Sequence, residues 1–301
     1  MGRNHARVYA ALDHAVLTAV YDADRARAED VVAEFGGVAV DSLDALAELV
    51  DLASVAVPTI AHREVGCHLL ERGVHVLIEK PIAANVVDAQ ALVDTAHRCQ
   101  RLLGVGHVER FNPVMIELEK KLNAPRFIEA HRLSPFPNRS MDIGVVLDLM
   151  IHDLEVILHL VKSPVIGIDA VGVPVLMKTE DIANARLRFA NGCVANLTAS
   201  RISPERMRKI RVFQEDCYLS LDYQQQEGQM YWKDENGIVK SEVEIDKGQP
   251  LMMELASFVS AVARGETPAV TGQQGLAALE LALKVTELAK LGAAQPVLDE
   301  A

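Results

Sequence analysis

The sequence of 301 residues predicts a doubly wound α/β unit that lacks its first strand, followed by an α+β domain with a largely antiparallel or mixed sheet. Three observations carry this. Through the first third, apolar runs rich in Val, Leu and Ile alternate with segments of helical spacing, the pattern of a parallel sheet covered on both faces. The opening "MGRNHARVYAAL" reads as a glycine-led helix with Val8, Tyr9 and Leu12 apolar, feeding the strand "AVLTAVYDAD" that ends at Asp22. Beyond Asn112, strand-like runs are joined by connections too short for a crossover, which favours antiparallel or mixed pairing.

Taken in order, "ADRARAEDVVAEFGG" has helical spacing and stops at Gly36 and Gly37, and "DSLDALAEL" follows with Asp41 or Ser42 as its cap. Next come the strand "LASVAVP", the helix "AHREVGCHLLERG", the strand "VHVLIEKP", the helix "NVVDAQALVDTAHRC" and the strand "LLGVGHV". This rhythm places a first domain over 1–110 and a second over 111–301. The second opens with the helix "NPVMIELEKKL" and the segment "RFIEAHRLSPF", then a strongly apolar helix, "GVVLDLMIHDLEVILHLV". Strand-like runs from "VIGIDAVGVPVLM" to about Ile245 follow, joined by turns such as "ANG" and "DENG". Two helices, "LMMELASFVSAVARG" and "GLAALELALKVTELAKLG", complete the pattern, and the cleft between the domains is the default ligand site.

Composition narrows the function classes. Half the residues are hydrophobic, enough for a sizeable core, and the net charge of −12 disfavours nucleic-acid phosphates and anionic membrane surfaces. Cys67, Cys99, Cys193 and Cys217 are far apart and form no C-x-x-C pair, so neither a metal site nor a disulfide framework is suggested and a reducing cytoplasm is expected. No apolar run reaches the roughly 18 residues of a membrane span. A broad sheet with helices on one side needs its other face covered, which predicts a homodimer or homotetramer.

Two constellations carry chemistry. Glu79-Lys80-Pro81 ends a predicted parallel strand, at the sheet edge where doubly wound proteins bind ligands; an end-of-strand lysine can equally be a solvated charge. Asp148 and His152 stand four apart in the apolar helix, so an α-helix puts both on one face, where the carboxylate can orient the imidazole for proton transfer. An acid such as Asp22 lies about 20 residues past the glycine loop of a dinucleotide site, and Met1 and Gly2 would then be the last two positions of that loop. A longer reading frame is therefore expected, with roughly 8–12 further residues supplying a strand and the first glycines; the alternative is a true short form that has lost cofactor binding.

Together the glycine-led helix, "YDAD", "VAVPTIAH", "IEKP", "GHVERFNP" and "LDLMIHD" resemble the Gfo/Idh/MocA family of NAD(P)-dependent sugar oxidoreductases, in family order across essentially the whole chain. The resemblance implies a Rossmann-like cofactor domain and assigns Lys80 to substrate and cofactor at the hydride-transfer centre. It sets Asp148 and His152 against the reacting hydroxyls, with His152 the proton acceptor. Pro58, Thr59, His62 and Glu79 would lie on the cofactor side, although Thr59 and His62 could simply cap the following helix. Asp22 would take the adenosine ribose, favouring NAD, with NADP left open by nearby Arg25. "GHVERFNP", "RFIEAHRLSPF" and "VVLDLMIHDLE" look most like the nucleotide-sugar branch that includes the UDP-N-acetylglucosamine 3-dehydrogenases of lipid A precursor synthesis. That implies oxidation at C3 of a UDP-N-acetylhexosamine, with Arg110, Arg132 and Arg139 as candidate contacts to the nucleotide sugar; a surface salt bridge is the alternative for each. The other readings are a dehydrogenase of a free sugar or polyol and a non-catalytic sugar-nucleotide sensor.

Overall fold

A computed structural model describes residues 1–136 and 143–291. In chain order the elements are α1 (Gly2–Ala11), β1 (Ala19–Val20), α2 (Arg25–Phe35), β2 (Val38–Ala39), α3 (Leu43–Ala47), β3 (Leu52–Val55), α4 (His62–Glu71), β4 (His75–Glu79), α5 (Val86–Arg98) and β5 (Leu103–Gly106). There follow α6 (Pro113–Lys121), β6 (Phe127–Leu133), a π turn (Val146–Met150) running into α7 (Ile151–Val161), then β7 (Val165–Val173), β8 (Ile182–Phe189) and β9 (Val194–Ser200). The chain continues through β10 (Met207–Phe213), β11 (Cys217–Asp222), β12 (Glu227–Asp234), β13 (Gly237–Glu242), α8 (Pro250–Arg264) and α9 (Gly272–Leu291). Four helices, α2, α3, α5 and α6, start at side-chain caps: the Asp24 carboxylate accepts from Ala26 N, Ser42 Oγ from Ala45 N, Asn85 from Asp88 N, and Asn112 from Val114 N just ahead of Pro113.

Two compact units result, one of Met1–Phe111 with Gln249–Leu279, the other of Asn112–Gly248 with the chain from Glu280 onward. The linear pattern puts all of 111–301 in one domain, whereas α8 and the start of α9 pack with the first unit. The reason is apolar burial, since Leu255 and Phe258 of α8 share one core cluster with Val8 and Tyr9 of α1 and Leu77 of β4. Order along the chain does not reveal which body a helix rejoins.

In the first unit all strand pairs are parallel, and the strands form two sheets, β1–β2 and β3–β4–β5. Val76 and Ile78 of β4 are buried on the face covered by α4 and α5, whose Leu69, Leu70 and Leu92 are buried in turn, while Leu77 is buried on the opposite face with α1 and α8. The strand with helices over it therefore reads as a continuous apolar run.

The second unit holds an eight-stranded sheet in the order β13-β12-β11-β10-β6-β9-β8-β7, with β6–β9 its parallel pair and the others antiparallel. One face is closed, with Ile128, Ala130, Leu187, Leu197, Val212 and Leu219 all at or below 1 % exposed. The other carries a cross-strand row of half-buried aromatics, Phe127, Phe213, Tyr218 and Tyr231, with ring centroids 5.6, 4.5 and 5.3 Å apart, the first pair tilted and the other two stacked. No helix among the described residues is long and apolar enough to cross a membrane.

Candidate active site

In the first unit the site is built at the carboxyl ends of β3, β4 and β5. Lys80 follows β4 directly, half-buried, and its peptide bond to Pro81 is cis. His62, at the start of α4, is 1 % exposed and braces this turn: Nδ1 lies 3.0 Å from the Pro81 carbonyl and Nε2 3.0 Å from the Val57 carbonyl. Burial lowers the His62 pKa against the opposing pull of those carbonyls, so at neutral pH the ring donates to one of them at a time. Both ring nitrogens thus face backbone carbonyls, and the ring caps no N–H of the following helix. Pro58 is exposed, and Thr59 opens the short 3-10 turn Thr59–Ala61 that leads into α4.

Glu79 and Gly2 belong to this edge too. The Glu79 carboxylate meets His5 Nε2 of α1 at 2.8 Å, with His5 3 % exposed, so its first partner is a side chain of this protein. A Cβ built on Gly2 would approach only Ala56 Cβ within the protein, at 3.9 Å, an ordinary contact. Asp22 stands just beyond β1 with Oδ1 accepting from Asp24 N at 2.9 Å. The Arg25 guanidinium is taken up by Glu29, at 2.9 Å, and by Asp41. Beyond β5, His107 is fully buried and its pKa is pushed down to about 3, chiefly by burial and then by the charges of Lys80 and Arg110. A neutral imidazole therefore sits beside Lys80 at every physiological pH, which the spacing of the motifs did not disclose. Arg110 is half-buried and donates to the Ala269 carbonyl at 3.4 Å.

In the second unit Asp148 and His152 are both half-buried. Asp148 lies inside the π turn, in which Ile151 N reaches back to the Val146 carbonyl, and His152 lies in the first turn of α7. The expectation of one uninterrupted α-helix is corrected here: an i→i−5 bond widens the helix where the candidate carboxylate stands, a distortion common at functional sites. Arg132 is 2 % exposed, and its Nε and Nη2 each lie 2.8 Å from an oxygen of Asp153, next to His152. A two-pronged pair closed off from water anchors α7 to β6, so the guanidinium expected on substrate is engaged within the protein. Arg139 lies outside the described residues. Among the described residues no group of three or more His, Cys, Asp or Glu is placed to hold a metal ion.

Comparison with known proteins agrees with this construction. A family model described as oxidoreductase family, NAD-binding Rossmann fold, matches residues 1–107, and one for the GFO/IDH/MocA C-terminal domain matches 118–219. The chain is 37 % identical over 292 residues, 95 % of its length and 93 % of the relative's, to UDP-N-acetylglucosamine 3-dehydrogenase of Acidithiobacillus ferrooxidans. The chain belongs to the Gfo/Idh/MocA oxidoreductase family. Its relatives in this family are NAD-dependent oxidoreductases acting on sugar hydroxyls. A solved structure of the same Acidithiobacillus enzyme superposes with a TM-score of 0.93 over 97 % of this chain and 95 % of that one. Levoglucosan dehydrogenase, in complex with NADH and levoglucosan, superposes at 0.89 over 97 % and 95 % of the two chains with 17 % identity, a likeness of fold.

Proposed function

We propose that the protein oxidises a ring hydroxyl, at C3, of a UDP-N-acetylated hexosamine, with NAD as oxidant. The observation carrying this reading is the presence of Lys80, Asp148 and His152 together in a chain 37 % identical to an enzyme named for that reaction. The first unit fits the dinucleotide. Asp22 projects beyond β1 where a carboxylate accepts from ribose hydroxyls, and Arg25, the cation that could favour a 2′-phosphate, is engaged by Glu29 and Asp41. NAD, when bound, supplies the hydride acceptor. Lys80 would donate a hydrogen bond to the reacting oxygen and stabilise the negative charge growing on it, while His152 takes the hydroxyl proton as the carbon–oxygen bond becomes a carbonyl. Asp148 would orient His152 and stabilise the imidazolium. Arg110 and Arg139 are proposed for the diphosphate.

Assay of the purified protein with NAD and a panel of UDP-sugars tests this by the formation of NADH. Turnover of free polyols alone would replace the substrate, and UDP-sugar binding without NAD binding would favour a sensor. Asp22→Ala is expected to raise the ratio of kcat/KM for NADP over NAD by roughly tenfold, because the carboxylate repels a 2′-phosphate. An unchanged ratio removes Asp22 from the ribose site.

A second copy of the chain is proposed to cover the aromatic face of the eight-stranded sheet, where Phe127, Phe213, Tyr218 and Tyr231 lie half-buried. Light scattering should give at least a dimer for the wild type and a smaller species for Tyr218→Glu. A monomeric wild type refutes it. Four free cysteines, two of them buried, accord with a reducing cytoplasm.

A further inference from the structure

Glu180, in the connection before β8, is a carboxylate only 6 % exposed, yet it has no place in the chemistry above. Two glycines make its seat. A Cβ on Gly172 would press on the Glu180 stem, 3.1 Å from its Cβ, and a Cβ on Gly144 would fall inside its carboxylate. The head therefore lies over the first turn of the helical run that carries Asp148 and His152. There Val146 N approaches Glu180 Oε1 at 3.4 Å and Val145 N donates to the Glu180 carbonyl at 3.0 Å. The partial positive charge of a helix start favours an anion at that point. The neighbouring residues hold the seat still. Asp181 is fully buried; burial opposes its charge, but the N–H groups of Leu176 and Met177, the Arg201 guanidinium and the N–H of Val175 outweigh it and bring its pKa down to about 2. Arg201 in turn donates to the Ile143 carbonyl at 2.7 Å and to Thr179 Oγ1 at 2.9 Å, holding together the residues that precede Gly144 and Glu180.

We propose that Glu180, seated between Gly144 and Gly172, is a positioning residue that fixes the π turn and so the placement of Asp148 against His152. Its consequence for turnover rests on the reading of that pair as the substrate-side acid–base groups; its consequence for geometry does not. The π turn has one more residue in its hydrogen-bonded loop than an α turn, so it persists only where its surroundings hold it. A side chain at 144 would displace the Glu180 carboxylate from the helix start.

The test follows the His152 imidazole by NMR through a pH titration, its resonance assigned by its loss in His152→Gln. Glu180→Ala and Gly144→Ala should each move the His152 titration midpoint by roughly half a pH unit or more as Asp148 shifts against it. Glu180→Gln, which keeps the shape and one acceptor, should stay near wild type. In the double variant Gly144→Ala, Glu180→Ala, the added methyl finds room, and the midpoint should lie no further from wild type than in Gly144→Ala alone. With UDP-sugar and NAD, Glu180→Ala should lose about tenfold in kcat, the scale of a sub-ångström misplacement, with KM for NAD unchanged. An unmoved His152 midpoint in both single variants overturns the proposal, as does full summation of the two effects in the double variant. A wild type that turns over no UDP-sugar overturns the proposed function alone, because the His152 titration still decides the role of Glu180.

Discussion

Lys80→Met is expected to lower turnover by about 10²–10³-fold while leaving the thermal midpoint close to that of the wild type. Removing a single positioned donor to a developing oxyanion has that effect where water is excluded. The fold should tolerate the change because methionine retains the stem and Lys80 is half-buried at a strand end. His107 supplies an internal check. Burial does more than the Lys80 charge to keep it neutral, so loss of that charge leaves the imidazole uncharged and the β5 edge intact. His152→Gln should cost on the order of 10²–10⁴ in rate and remove the limb of the pH profile that belongs to the base. Steady-state kinetics across pH, together with thermal unfolding, check both; wild-type turnover in either variant withdraws that residue's role.

Where the candidate residues stand in the fold is largely legible in the sequence, and the misses have physical causes. Lys80 was visible because a parallel strand delivers its last residues to one edge of the sheet, and the run "VHVLIEK" reads as a strand with little ambiguity. Asp148 and His152 were visible by spacing, but the π turn between them was not. It depends on Glu180 and Gly144, which are 36 residues apart, and spacing along a helix carries no trace of such a contact. His62 and His107 show the same limit. Their types suggested chemistry, or in the case of His107 suggested nothing, and only burial revealed that one braces backbone while the other is a neutral ring beside a cation. The helices after β13 had a clear apolar period, but the pattern could not show that α8 would close on α1.

Arg132 is where an expectation of substrate contact meets a buried ion pair, and the two make opposite predictions. If the guanidinium served the nucleotide sugar, Arg132→Met would raise KM and leave stability alone. The structure predicts the reverse order of effects. Arg132 and Asp153 are 2 % and 3 % exposed, and each guanidinium nitrogen of the pair is 2.8 Å from its oxygen. Removing one partner strands the Asp153 carboxylate away from water, which costs about 3–5 kcal/mol. Arg132→Met should therefore unfold at markedly lower denaturant concentration, and turnover should fall with the fraction folded. Replacing both residues in Arg132→Met, Asp153→Leu removes the uncompensated charge, and most of the lost stability should return, since well-packed apolar side chains often equal a buried pair. Denaturant unfolding of the two single variants and the double variant closes the cycle. A single variant as stable as the wild type, with its KM for the UDP-sugar raised, would return Arg132 to the substrate site and leave α7 to be held by its apolar contacts alone.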